Sequence, residues 1–305
     1  MKDEILKTDP IFFEKIWGGT RIKTEYNLIP PHEFNQNSIG EVWGVSGYVH
    51  GDNLIIDSEG LSISSWWKTL GKSGNFPYQI RVIDANDRLS IQVHPDDKIS
   101  QKNPDFHRKN EAWYVLDCMD NASIVYNTKI KDQKDILKAI DSNHFEELID
   151  YKPIRKNELI YIPAGMVHAI TDKTFLIEVA ECSDTTFRLY DFNRLDNFGN
   201  RRPLHIEESK QVVKHFPTVE YGKLGKKINN DWERETILNN GVFNIEIVRC
   251  FKSIVIDQIN AGSGFIVTKG CFSTKNQHFK KGEFGIITVT SIEMHGDFEL
   301  LLVKL

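Results

Sequence analysis

Leu89-Ser90-Ile91-Gln92-Val93-His94 is the stretch on which the fold turns. Its apolar and β-branched residues read as a strand, and side chains on a strand alternate faces with period two. Gln92 and His94 therefore share one face, while Ile91 and Val93 share the other. Two polar groups then look into one cavity, as they would on the inner side of a β-barrel.

Glu111 opens the run Glu-Ala-Trp-Tyr-Val-Leu, rich in aromatic and β-branched residues, which also reads as a strand. His168 follows Ile160-Tyr161-Ile162 through Pro163-Ala164-Gly165, a turn that ends one strand and aims the next. Imidazole nitrogens and carboxylate oxygens are what a borderline-soft divalent ion such as Zn²⁺ binds, so Gln92, His94, Glu111 and His168 form a candidate ligand set.

Outward from that set, strands are expected at about 78–84, 158–162, 166–170 and 174–181, before the segment 184–190. Ser62 caps an expected helix over 62–70, where Ile63, Trp66, Trp67 and Leu70 recur at helical spacing, which marks the two Trp as core. Residues 132–149 and 205–216 read as further helices, and 1–60 as short strands. The stretch 217–230, with Gly222, Gly225 and several Lys, reads as a loop between domains. Beyond it, strands are expected at 243–248, 253–258, 264–268, 285–289 and 298–303.

This C-terminal part reads as a degenerate repeat. Residues 156–162 resemble 281–288, and 113–116 resemble 265–268, which sets Ser263 where Glu111 stands. No Pro-x-Gly-x-x-His follows the second copy, so the ligand set is not repeated. His295 is expected on the surface.

Bulk properties fit a globular protein. The 305 residues are 27% charged and 40% hydrophobic, enough for one large or two medium domains with a sizeable core. A formal charge of −5 excludes a general nucleic-acid binder, which carries a basic surface. The start Met1-Lys2-Asp3-Glu4 has no basic, apolar leader, and no apolar run approaches the roughly 18 residues of a membrane span, so a cytoplasmic protein is expected. Cys118, Cys182, Cys250 and Cys271 are widely spaced, without a Cys-x-x-Cys pair.

Pro163-Ala164-Gly165-Met166-Val167-His168 resembles the second cupin motif, and Gln92-Val93-His94 with Glu111 resembles a modified first motif. Together they resemble the type I mannose-6-phosphate isomerases in their short bacterial form. Ile16-Trp17-Gly18-Gly19, Gly40-Glu41-Val42-Trp43, the run IQVHPDD from Ile91, Lys109-Asn110-Glu111-Ala112-Trp113-Tyr114 and the segment from Ser183 to Asp191 carry the same likeness, which spans about 11–203. Asn86, Asn157 and Asp172 depart from the general cupin pattern.

The resemblance implies a mainly β fold of tandem cupin-type, jelly-roll barrels with a few helices. Residues 1–216 would hold the metal-binding catalytic barrel, 217–235 a linker, and 236–305 a degenerate barrel without ligands. It implies one Zn²⁺ in the first barrel and interconversion of mannose 6-phosphate and fructose 6-phosphate through a cis-enediol. One carboxylate on a divalent ion leaves net positive charge and an open position, the arrangement of a catalytic site. Arg188 matches the family's catalytic Arg, and its fixed fork of donors suits an oxyanion or phosphate. Asp184 is expected to orient Arg188 or a substrate hydroxyl. Lys109 is expected to relay a proton if burial and the metal depress its pKa. Trp17 is placed at the pocket rim or in the core. Two other readings compete: a non-catalytic sugar-phosphate-binding cupin, and an iron-dependent oxygenase using His94, Glu111 and His168.

Overall fold

The computed structural model describes residues 4–305 apart from 32, 36, 143, 197 and 198, so Met1, Lys2 and Asp3 of the leader reading lie outside the described residues. The mainly β chain expected from the sequence is found, with few helices. A six-stranded sheet runs in the order Leu159–Ile162, Glu111–Asp117, Thr174–Glu181, Tyr78–Ala85, Ile11–Gly19, Ile39–Val45. A five-stranded sheet runs in the order Ile149–Pro153, Ser123–Thr128, His168–Ala169, Ile91–Val93, Phe187–Tyr190. Ile83, Trp113, Ile162 and Leu176 from the first and Ile124 from the second meet in one apolar cluster, which fills the space between them.

The central strands of the six-stranded sheet are buried on both faces, so they read as nearly continuous apolar runs. Ile80, Val82, Tyr114, Ile177 and Val179 look outward and pack with Ile266, Phe284 and Leu301 from the C-terminal part. The opposite face carries charge. The register sets Trp113, Glu178, Arg81 and Trp43 side by side across four strands, and Glu111, Ala180 and Gln79 in a neighbouring row. Charged side chains in strands this apolar mark the face that lines a cavity.

The C-terminal sheet is ordered Ile5–Lys7, Phe284–Ile287, Ser263–Ser273, Ser291–Lys304, Asn244–Cys250, Trp232–Asn239, Gly225–Ile228. Ser253–Asp257 and His278–Lys280 pair with its two long strands. Two corrections follow. The stretch 217–230 is not loop throughout, since Gly225–Ile228 pairs antiparallel with Trp232–Asn239 in this sheet. Its Lys and Gly content hid this strand because an edge strand is solvated and selects for Lys. Residues Ile5–Lys7, expected with the first barrel, pair instead with Phe284–Ile287.

The two parts are packed as one body. The Tyr78 hydroxyl donates to the Gly262 carbonyl at 2.7 Å, and Thr8 Oγ1 donates to the Gly44 carbonyl at 2.6 Å. A Cβ at Gly44 would enter the ring of Phe284, so only glycine allows that approach. Ile63–Thr69 is a helix with Ser62 accepting from the Ser65 amide, and Trp66 and Trp67 are core, as expected. Gln133–Asp141 with Phe145–Leu148, and Ile206–Val212, account for the other expected helices. Arg21–Tyr26 and Asp97–Lys102 were not anticipated, because six residues are too few to show a period of 3.6.

Candidate metal centre and adjoining pocket

The strand Ile91–Val93 lies between His168–Ala169 and Phe187–Tyr190, so Gln92 stands opposite His168 on one side and Arg188 on the other. Glu111, at the end of its own strand, is paired with Ile162 and Ala180. These positions bring His94, Glu111 and His168 together, each buried, with ligand atoms within 4.8 Å of one another. His94 Nε2 lies 2.9 Å from Glu111 Oε1, and His168 Nε2 lies 3.6 Å from Glu111 Oε2.

The outer ring nitrogens settle the tautomers. His94 Nδ1 is 2.9 Å from the Thr185 carbonyl and His168 Nδ1 is 2.8 Å from the Met166 carbonyl. A carbonyl only accepts, so each Nδ1 carries the proton and each Nε2 turns a lone pair into the cluster. Burial pushes both imidazoles down, His168 to about 3 with His94 adding to the effect, so both are neutral. The short His94–Glu111 distance is then not an ion pair. It sets two acceptors face to face: His94 Nε2 is buried without a hydrogen bond, and Glu111 Oε1 has the Lys109 ammonium beside it as its one close cation among the described residues. Two imidazole lone pairs and a carboxylate converging in this way fit a cation. Gln92 Nε2 lies 3.3 Å from His168 Nε2, so its amide sits at the cluster's edge, and a half-turn about the last side-chain bond presents Oε1 instead.

A cavity of about 240 Å³ opens beside the cluster. Gln92, Glu111, Lys109, Asp184 and Arg188 all line it, as does Trp17, which is also a core residue. Lys109 Nζ is 2.6 Å from Glu111 Oε1. Burial works to lower this lysine, but Glu111 and Glu178 outweigh burial and raise it, while a divalent ion held by Glu111 would act in the opposite sense. For Glu111 burial acts upward, and Lys109 and His94 hold the carboxyl well below its usual range.

Asp184, expected to orient Arg188 or a substrate hydroxyl, has a different arginine as its partner. Its carboxylate meets Arg81 at 3.3 Å rather than Arg188. Arg188 donates to Ser90 Oγ at 3.3 Å and to the Pro203 carbonyl at 2.8 Å, and has no carboxylate of its own among the described residues. Burial and then the neighbouring Arg202 lower its pKa, which marks a cation in need of an anion. Arg202 lines the same cavity and is held by both oxygens of Asp191, at 2.7 and 2.6 Å.

Sequence reasoning missed Arg81 and Glu178 and gave Glu41 no role, although all three line the pocket. Arg81 is buried against the Trp43 ring at 3.9 Å and faces Glu178 at 3.5 Å and Glu41 at 4.0 Å. Burial, with Glu111 nearby, raises the Glu178 carboxyl well above the usual carboxylate range. The signal was available: Arg81 and Glu178 are charges set within apolar strands, and a buried charge needs partners.

Acid stability should report this burial. Burial works to raise Glu41, but Lys15 and Arg81 hold it down to about 2 against an ordinary 4.5, while His168 sits at about 3 against 6.5. Both folded values are depressed, so as pH falls from 4.5 to 3 the unfolded chain takes up protons that the folded chain refuses. Stability is lost in that window, by about 1.4 kcal/mol per pH unit for each such proton. Glu178, shifted the other way, acts above pH 4.5. Urea unfolding at the two ends of the window should show a drop of about 3 kcal/mol, and a flat profile would contradict the burial of these groups in their stated forms.

Comparison with known proteins agrees with this geometry. The family described as phosphomannose isomerase type I, catalytic domain, matches residues 5–124. A mannose-6-phosphate isomerase of Streptococcus mutans is 32% identical over 218 residues, covering 67% of this chain and 68% of that protein. Mannose-6-phosphate isomerase ManA of Bacillus subtilis is 31% identical over 222 residues, covering 70% and 69%. The crystal structure of a mannose 6-phosphate isomerase from Bacillus subtilis superposes with a TM-score of 0.89 at 25% identity, over 99% of this chain and 100% of that one.

Proposed function

This chain belongs to the type I phosphomannose isomerase family, and from that premise we propose that it interconverts mannose 6-phosphate and fructose 6-phosphate at the pocket beside His94, Glu111 and His168. The observation that carries the reading is a pair of neighbours across one strand. Gln92 has the acceptor cluster on one side and the unpaired Arg188 guanidinium on the other, so cation-binding and anion-binding ends share one cavity.

His94, Glu111 and His168 would hold the ion, with Gln92 as fourth ligand through Oε1, and Zn²⁺ suits this nitrogen and oxygen set. When bound, such an ion polarises a sugar carbonyl and favours the enediolate. The chain's own groups do the rest. Arg188, with Ser90 and Arg202 beside it, offers forked donors to the anionic sugar. Lys109 keeps its proton and stabilises negative charge next to Glu111. Glu178, whose carboxyl is raised and whose Oε1 is buried without a hydrogen-bond partner, is the group best placed to take a proton from one sugar carbon and return it to the next. Arg81 fixes Glu178, Glu41 and Asp184 in place, so Asp184 acts on the substrate's hydroxyls and not on Arg188. The C-terminal unit supports this site: its Ser263, in the position aligned with Glu111, is buried and accepts from the Leu305 amide at 3.2 Å.

Proton transfer through an enediol is tested by running the reaction in D₂O. Part of the fructose 6-phosphate should carry solvent deuterium at C1, read by proton NMR. Full retention of a deuterium placed at C2 of the substrate, with no solvent label in the product, would mean hydride transfer and would sink the enediol route.

A further inference from the structure

We infer that the C-terminal unit carries a second ligand site, for a small phosphorylated carbohydrate. A cavity of about 340 Å³ lies along the edge strand Gly225–Ile228 and shares no lining residue with the pocket beside His94. The register builds it from one face of the sheet. Lys227 is paired with Arg234, Thr236 with Glu246, Asn239 with Asn244, and Asn244 with Lys304. At its floor Arg234 meets Glu246 Oε2 at 2.7 Å and Lys304 meets Oε1 of the same carboxylate at 3.3 Å. All three side chains are largely buried, so two cations share one anion where water cannot screen the excess.

The rim adds to that excess. Lys223 and Lys227 line the cavity without an ion pair among the described residues, while Lys226 pairs with Glu233 at 3.1 Å. Asp257 is the second carboxylate in the lining, against five cations in all, within a chain of formal charge −5. The surplus is local and sits in a concave site, which focuses the field on an incoming anion.

The uncharged lining says what the anion is attached to. The side chains of Thr236, Asn239, Asn244 and Gln258 have no hydrogen-bond partners among the described residues, and Asn244 Oδ1 is buried without one. A buried acceptor left unpaired is costly, and a ligand hydroxyl satisfies it. Amides and a hydroxyl beside paired cations are the groups that recognise a polyol carrying a phosphate.

Calorimetric titration of the full, metal-loaded chain with fructose 6-phosphate tests the site. Two binding events per chain are expected, and Lys223→Glu with Lys227→Glu, both at the rim, should weaken one of them at least tenfold while kcat stays within twofold. Asn244→Ala should weaken the same event without reversing any charge. Arg188→Ala with Arg202→Ala should leave it in place, so that it can be counted even if the chain proves not to be an isomerase. A single event in the unaltered chain, or a second event that survives the rim charge reversal, overturns the proposal. Inorganic phosphate binding there as tightly as fructose 6-phosphate overturns its carbohydrate half.

Discussion

His168→Ala is expected to remove the metal and the activity together. The imidazole turns its Nε2 lone pair into the acceptor cluster because Nδ1 donates to the Met166 carbonyl, and alanine offers no atom in its place. Loss of one of two nitrogen ligands should cost more than the roughly 10- to 100-fold in affinity seen when only a supporting contact is lost. Turnover should fall by about 10³-fold or more, the scale reached when a preorganised contact to a developing oxyanion is removed. The fold should survive, since the substitution removes one of the lone pairs that face each other in a buried site. Metal content by plasma mass spectrometry, with circular dichroism as the control for folding, decides the matter. A folded variant that keeps its metal would remove His168 from the ligand set.

Arg188→Ala is expected to separate the two properties. The guanidinium is held by Ser90 Oγ and the Pro203 carbonyl, not by any of His94, Glu111 or His168, so the metal should stay. Turnover should fall by about 10²- to 10³-fold, the usual result of deleting one donor aimed at developing charge. Arg188→Lys should recover only part of that loss, because an ammonium keeps the charge but lacks the planar fork. Metal loss in the alanine variant, or kcat within tenfold of the unaltered chain, would place Arg188 outside the chemistry.

The fold was legible wherever burial imposed a period. A strand carrying Gln92, with His94 just past its end, Ser62 capping a helix and Trp66 with Trp67 as core could all be read without coordinates. What escaped was of two kinds. Gly225–Ile228 looks like a loop because it is an exposed edge, and Ile5–Lys7 joins a sheet formed almost three hundred residues later, a pairing that no local pattern encodes. The site divides the same way. His94, Glu111 and His168 stand in recognisable local contexts, whereas Arg81 and Glu178 announce themselves only as charges in apolar strands, and the register alone shows that they are partners. Of the two partners expected for Asp184, Arg188 or a substrate hydroxyl, its ion pair with Arg81 from another strand leaves the second, and no local pattern announced Arg81. Lys109 lines the pocket, as its place two residues before Glu111 suggested, with two carboxylates at its tip that sequence alone did not supply together.

The central claim is that the pocket beside His94, Glu111 and His168 is a metal-dependent aldose–ketose isomerase site. Its most direct test is the rate at which the purified protein, first stripped with a chelator and then reloaded with Zn²⁺, forms fructose 6-phosphate from mannose 6-phosphate. Turnover in the reloaded protein and its absence in the stripped protein is the predicted result, and no turnover in either state, or the same turnover in both, would contradict it.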